Sequence, residues 1–291
     1  MKRNGSRYGK QLWKCTECSK QFRQKTPSPK KKIWHEFTHG KQTHAQIAQQ
    51  YGRSTKWVQR QLKGIEVEKK EMAPDEVVII MDTTYFKRLF GVMVWRCPQR
   101  QQNLLWKFLP YETIRAYKDG IETLEAVGWK VRAIVCDGRR GLLQGFSVPM
   151  QMCHFHQAAI VTRYVTRRPK LDAGQDLQSF MRHLPKVGEA QFTLWLELWY
   201  DKWGTFLKER TIDEITRRWH YTHCRLRSAY YSVKRNLPYL FTYLRYPELN
   251  IPNTSNSLEG IFTHIKKNIR LHGGLRIHQK QPMIEEFLRT E

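Results

Sequence analysis

VVIIMDTTY, residues 77–85, sets four β-branched residues and a methionine in a row before a single carboxylate, Asp82. A continuous apolar run of this length, rich in Val and Ile, predicts a strand buried on both faces, with Asp82 at its end. An acid closing a buried strand can be a turn residue or a metal ligand. The choice depends on which other acids the fold brings to the same edge.

Reading outward, FGVMVWR (90–96) and NLLWKFLP (103–110) are two further strands separated by the turn CPQRQQ. In ETIRAYKDGIETLEAVG, apolar residues Ile114, Tyr117, Ile121, Leu124 and Val127 recur at helical spacing and stop at Gly128. KVRAIVCDG (130–138) is a fourth strand ending at Asp137, GLLQGF a short helix or turn, PMQMCHF a fifth strand, and HQAAIVTRYVT a helix. The order β-β-β-α-β-α-β-α is that of an α/β fold with a ribonuclease H-like core. In it the first and fourth strands lie side by side, so Asp82 and Asp137 share one edge of the sheet.

From about 170 to 250 the strand signals stop, and Trp, Leu, Phe and Arg recur at helical intervals. This predicts an inserted all-α domain over 169–250, its aromatics forming a core and its outer arginines free to meet phosphates. NTSNSLEGIFTHIKK (253–267) follows. There Asn256 or Ser257 is expected to cap a helix with Glu259 in its first turn, where the helix dipole favours negative charge.

Upstream, THAQIAQQYGRSTKWVQRQLKGI (43–65) has two capping residues, Thr43 and Ser54, opening two short amphipathic stretches around Tyr51-Gly52. That is the helix-turn-helix pattern over 39–66; its second helix carries Lys56, Arg60 and Lys63 towards a major groove. Before it, Cys15-x-x-Cys18 forms half of a tetrahedral zinc site in a truncated zinc-ribbon-like segment, 1–38. A second CxxC is expected upstream of it. A late start, a relic pair, and distant ligands such as His35 or His39 all remain open. The charged stretch EVEKKEMAPDE separates these segments from the core, 74–168, and 251–291 returns to that core.

The chain has 291 residues, 40% of them hydrophobic, enough for a sizeable core. Its net charge of +25 predicts a polyanionic partner, with nucleic acid as the default. Residues 1–70 alone hold 18 Lys and Arg against four acids. Arg139, Arg140, Lys266 and Lys267 are further candidates for phosphate contact. No apolar run reaches membrane-spanning length, and the basic N-terminus lacks the apolar stretch of a secretory signal, which places the chain inside a cell. Intracellular thiols are ligands or small hydrophobes rather than disulfides, and Cys97, Cys136 and Cys224, without ligand-spaced neighbours, are read as core.

IIMDTTY, IVCDGRRGL, CHFHQ and NTSNSLEG, in this order, resemble motifs of the DDE transposases of bacterial insertion sequences related to the Mutator-like group, in the variant with an N-terminal zinc ribbon. The resemblance runs from Cys15 to the C-terminus. It implies that Asp82, Asp137 and Glu259 form a triad binding Mg²⁺ or Mn²⁺, and that 169–250 is the family's insertion domain. By the same likeness, Cys153 and His156 are its C-x-x-H element, with a structural or DNA-positioning role. Implied with it are cleavage at transposon ends, transfer of the freed 3′-hydroxyl into target DNA, terminal repeats and target duplex as partners, assembly as a dimer or higher oligomer, and a place in the bacterial nucleoid. The single CxxC departs from the pattern and leaves zinc binding open. Two rival readings use the same residues: a degenerate transposase acting as a sequence-specific DNA-binding protein, and a junction nuclease on the same core.

Overall fold

The computed structural model describes residues 1–7, 10–23, 29–67 and 72–290; the side chains of Arg7, Lys10, Arg23 and Arg140 lie outside that description. The candidate contact Arg140 and part of the charged linker, 68–71, fall there. Two compact units result, one of residues 1–67 with 268–283, the other of residues 68–267 with 284–291.

In the first unit, β1 (Lys2–Arg7), β2 (Lys10–Lys14) and β3 (Gln21–Arg23) form an antiparallel sheet in that order. Cys15 and Cys18 sit in the turn between β2 and β3. Three helices follow: α1 (Lys30–Thr38), α2 (His44–Gln50) and α3 (Thr55–Leu62). The predicted caps are in place. Thr43 and Gln46 form a reciprocal capping box, and Ser54 accepts from Trp57 N. Gly52, at φ +56°, turns the chain between α2 and α3, where a residue with a Cβ would be strained. Ile33, Trp34, Phe37, Ile47, Ala48 and Val58 are buried.

In the second unit, β4 (Glu76–Phe86), β5 (Phe90–Cys97) and β6 (Gln102–Leu109) form an antiparallel meander. After α4 (Ile114–Ala126), β7 (Lys130–Cys136) pairs parallel to β4, with Ile80 opposite Val135. After α5 (Arg140–Leu143), β8 (Met150–Met152) pairs parallel to β7 and leads into α6 (His154–Val165). The result is a mixed five-stranded sheet in the order β6-β5-β4-β7-β8. Every residue of β5 is buried, as a strand covered on both faces requires. On one face Val77, Ile79, Met81, Met93 and Trp95 share a core with Tyr117, Ile121 and Leu124 of α4. Gly120 is the residue that lets α4 approach, since a Cβ there would fall on the Trp95 indole. Val127 is exposed and takes no part in this core.

The strand β4 does not end at Asp82. Thr83, Thr84, Tyr85 and Phe86 continue it, pairing with Met93, Val92, Gly91 and Phe90. β-branched and aromatic residues suit a paired strand as well as the run before them does.

The inserted segment is not all-α. It holds α7 (Asp172–His183), α8 (Glu189–Trp203), a hairpin of β9 (Arg210–Ile212) and β10 (Trp219–Tyr221), then α9 (Cys224–Leu240) and α10 (Thr242–Arg245). Three-residue strands are too short to register as a period of two. Phe192, Trp199, Tyr230 and Phe241 of this segment are core: Trp199 and Tyr200 both stack on Tyr230, and Trp199 Nε1 donates to Ala173 O. Cys97 and Cys136 are buried as expected, but Cys224, at the start of α9, is exposed.

Two helices close the chain, α11 (Asn256–Leu271) and α12 (Ile277–Thr290). The first begins at Asn256, so Ser255 precedes it and the predicted caps lie inside its first turn. Near the C-terminus, Asn103 Nδ2 donates to Leu288 O, tying the last turns of α12 to β6. No helix among the described residues is long and apolar enough to cross a membrane.

Candidate metal centre

Three elements converge beside the middle of the sheet, and Cys153 is where they join. Its backbone N donates to Cys136 O at the end of β7, while the next residue's N, of His154, donates to Asn253 O. Its thiol then accepts from both N and Oγ of Ser255, each at 3.2 Å. The loop leading into α11 is thus pinned to the start of α6, and Glu259 in the first turn of α11 meets His156 in the first turn of α6. His156 Nε2 stands 3.3 Å from Glu259 Oε1.

Asp82 completes the group. One ligand atom each from Asp82, His156 and Glu259 lie within 4.8 Å of one another, the only such cluster of three or more His, Cys, Asp or Glu among the described residues. His156 is 24% and Glu259 35% exposed, so the site opens to solvent. Two carboxylates and an imidazole are a donor set for a divalent cation, the carboxylate oxygens suiting Mg²⁺ or Mn²⁺.

Burial pushes the Asp82 carboxyl up to about 7, against the opposing pull of His156 and of the Thr83 N–H, with Glu259 and Asp137 pushing the same way as burial. Burial alone would depress His156, but its contact with Cys153 and the charges of Cys153, Asp82 and Glu259 raise it to about 9. The Cys153 thiol is held below its usual value: burial raises it, and the hydrogen bonds from His156 and Ser255 outweigh that. The His156 imidazole therefore favours its protonated form beside the Cys153 sulfur and the Glu259 carboxylate.

Asp137 follows β7, beside Asp82 on the neighbouring strand, but it is not in the cluster. Its Oδ1 accepts from Arg139 N at 3.2 Å. Gly138 matters to this turn, because a Cβ there would run into Met152 and crowd Asn236. Of the three carboxylates picked out in the sequence, the structure joins two, adds His156 to them, and leaves the third one strand away.

A chain of hydrogen bonds that the sequence does not reveal links the two strand ends. Thr83 Oγ1 is 2.9 Å from Tyr117 Oη, Tyr117 Oη donates to Glu112 Oε1 at 2.8 Å, and Arg139 Nη2 donates to Glu112 Oε2 at 2.7 Å. Arg139 is therefore held by a carboxylate of its own chain. No periodicity announces such a network, because its members lie on β4, on α4 and in two loops.

The remaining candidates lie elsewhere. Lys56, Arg60 and Lys63 line one groove of the first unit, of about 940 Å³, with an apolar floor of Trp34, Phe37 and Leu275. Lys266 is half-buried on α11 and Lys267 is exposed. Cys15 and Cys18 are free thiols; hydrogen bonds from the backbone of Cys18 and Glu17 lower the Cys15 thiol, as a metal-binding turn does, but no group of three ligands includes them among the described residues. The His35 and His39 rings lie 5.1 Å apart, tilted, at the end of α1, and do not join them in such a group.

Comparison with known proteins finds no family model that matches this chain and no curated protein that matches it.

Proposed function

We propose that the chain is a DDE-type DNA transposase with a ribonuclease H-like core. The observation that carries this reading is the convergence of Asp82 and Glu259, 177 positions apart in sequence, on one solvent-accessible cluster beside the central strand. The strand order β6-β5-β4-β7-β8, antiparallel through the first three and parallel through the last three, supports the core assignment. A charge of +25 supports a DNA partner.

In this reading Asp82 and Glu259 hold Mg²⁺ or Mn²⁺, with Asp137 supplying a carboxylate from the adjacent strand. A divalent ion held by these carboxylates would supply activation of a water or 3′-hydroxyl and charge compensation at the phosphate. His156 lies beside the same carboxylates, 3.3 Å from Glu259 Oε1, and orients Glu259. Glu112 fixes Arg139 through a salt bridge and so steadies the turn that carries Asp137. Lys56, Arg60 and Lys63 on α3 are the proposed contacts to terminal repeats, and two chains act together because two ends must be cut.

The test is joining of pre-cut element ends to a plasmid target in Mg²⁺ or Mn²⁺. Joined product from the parent and none from Asp137→Asn, with DNA binding retained, is the expected outcome. DNA binding without metal-dependent cutting in the parent would mean a DNA-binding regulator instead. Cutting of four-way junctions without joining would mean a junction nuclease.

A further inference from the structure

The β9–β10 hairpin stands out because its large apolar side chains face solvent. Pairing of Trp219 with Ile212 and of Tyr221 with Arg210 puts these four side chains on one face. Ile212 is 62% exposed, Trp219 54%, and Ile215 in the connecting turn 93%. None of the three contributes to a core, so the fold gains little from their hydrophobicity.

A two-stranded ribbon this short has little stability of its own, yet this one is fastened at both ends. At its base the Arg210 guanidinium lies 4.1 Å over the Trp219 ring, and Arg227 of α9 lies 4.0 Å over Tyr221 and 4.7 Å over Tyr231. Thr211 and Thr222 hydroxyls meet at 2.7 Å, and His223 both contacts Glu209 at 2.9 Å and stacks on Phe206. At the tip Asp213 Oδ1 accepts from Ile215 N, Thr216 N and Thr216 Oγ1, while Asp213 N donates to Arg218 O. The turn that presents Ile215 is therefore pre-shaped.

We propose that this hairpin is an arm that enters a groove of duplex DNA, with Arg217 and Arg218 on phosphates and Ile215 against a base step. A two-stranded ribbon fits a DNA groove, and apolar wedges are a common means of opening a base step. Charge selects the occupant. Between 208 and 227 there are six Lys and Arg and three acids. Two of those acids are engaged within the chain, Glu209 with His223 and Asp213 in the tip. Glu214, beside Ile215, is repelled by phosphate, which directs the tip towards base edges rather than the backbone. A second copy of the same net-positive hairpin is disfavoured by repulsion. The proposal rests on the DNA-binding part of the reading above.

The test uses the full chain and a duplex of about 40 base pairs labelled at both ends, with affinity followed against salt. Removing two phosphate contacts in Arg217→Ala/Arg218→Ala should flatten the slope of log K against log salt by about 1.8. Ile215→Ala should keep the slope and reduce DNA bending read by energy transfer between the ends. Far-UV circular dichroism and melting should match the parent in both, since the side chains changed are exposed. A parent that fails to bind duplex at any salt sinks the DNA reading itself. A parent that binds, with the double variant's slope unchanged, overturns the hairpin arm alone, and so does a change in oligomeric state without DNA at unchanged slope. Bending that is equal in the parent and Ile215→Ala overturns the wedge.

Discussion

Cys153 and Ser255, 102 residues apart, are joined by two hydrogen bonds to one sulfur, and this junction delivers Glu259 to the site. The thiol serves as an acceptor here, buried and held by its neighbours. Cys153→Ala leaves a buried N–H and hydroxyl of Ser255 without their acceptor, at a cost of about 1–3 kcal/mol. Denaturant unfolding should show that loss, and Mn²⁺ affinity should fall with it because α11 is no longer pinned. Cys153→Ser, which retains an acceptor, should recover part of both.

The site's ionisation predicts how metal-free stability varies with pH. Asp82, raised from 3.8 to about 7, holds a proton in the folded chain that the unfolded chain has released; its contribution is complete below the unfolded value and lost as pH rises through 7. His156, raised from 6.5 to about 9, contributes below 6.5 and loses that contribution as pH rises through 9. Both signs agree, so stability without metal should decline from about pH 4 to about pH 9. Asp82→Asn, which removes the buried charge, should flatten the lower part of that decline. Divalent-ion affinity should run the other way, rising by up to about tenfold per pH unit for each proton displaced. Unfolding curves and metal titrations at three pH values check both trends, and stability that rises with pH would contradict them.

Gly120 sits in the middle of α4, where glycine is intrinsically unfavourable by about 1 kcal/mol relative to alanine. Gly120→Ala should nonetheless destabilise, by about 1–3 kcal/mol, because the new methyl meets the fully buried Trp95 ring. A gain in stability would mean that the β5–α4 packing is looser than described.

Much of the second unit was legible in the sequence because its signals are strong: the apolar runs of β4, β5 and β7 and the helical spacing of α4. The position of Asp82 was misjudged for a physical reason. Thr83 to Phe86 are residues that pair well in a strand, and only the partner β5, with Phe90 to Met93, decides that they do. Glu259 was found as a helix-start acid, and His156 as part of a Cys-x-x-His element. Their 3.3 Å contact depends on the Cys153–Ser255 junction, which no local pattern encodes. The hairpin leaves no sequence signal because RTI and WHY are too short to show alternation, and a cation–π contact of Arg227 of α9 with Tyr221 fastens it instead.

If Asp82 and Glu259 together hold one divalent cation, each should be needed for its binding. Electron paramagnetic resonance of Mn²⁺ titrated into the full chain near pH 8 measures this directly. The parent should show one tight site, and Asp82→Asn and Glu259→Gln an affinity at least about tenfold lower, as loss of a charged oxygen ligand requires. Circular dichroism should show both variants folded. Tight Mn²⁺ binding that survives both substitutions would contradict the account.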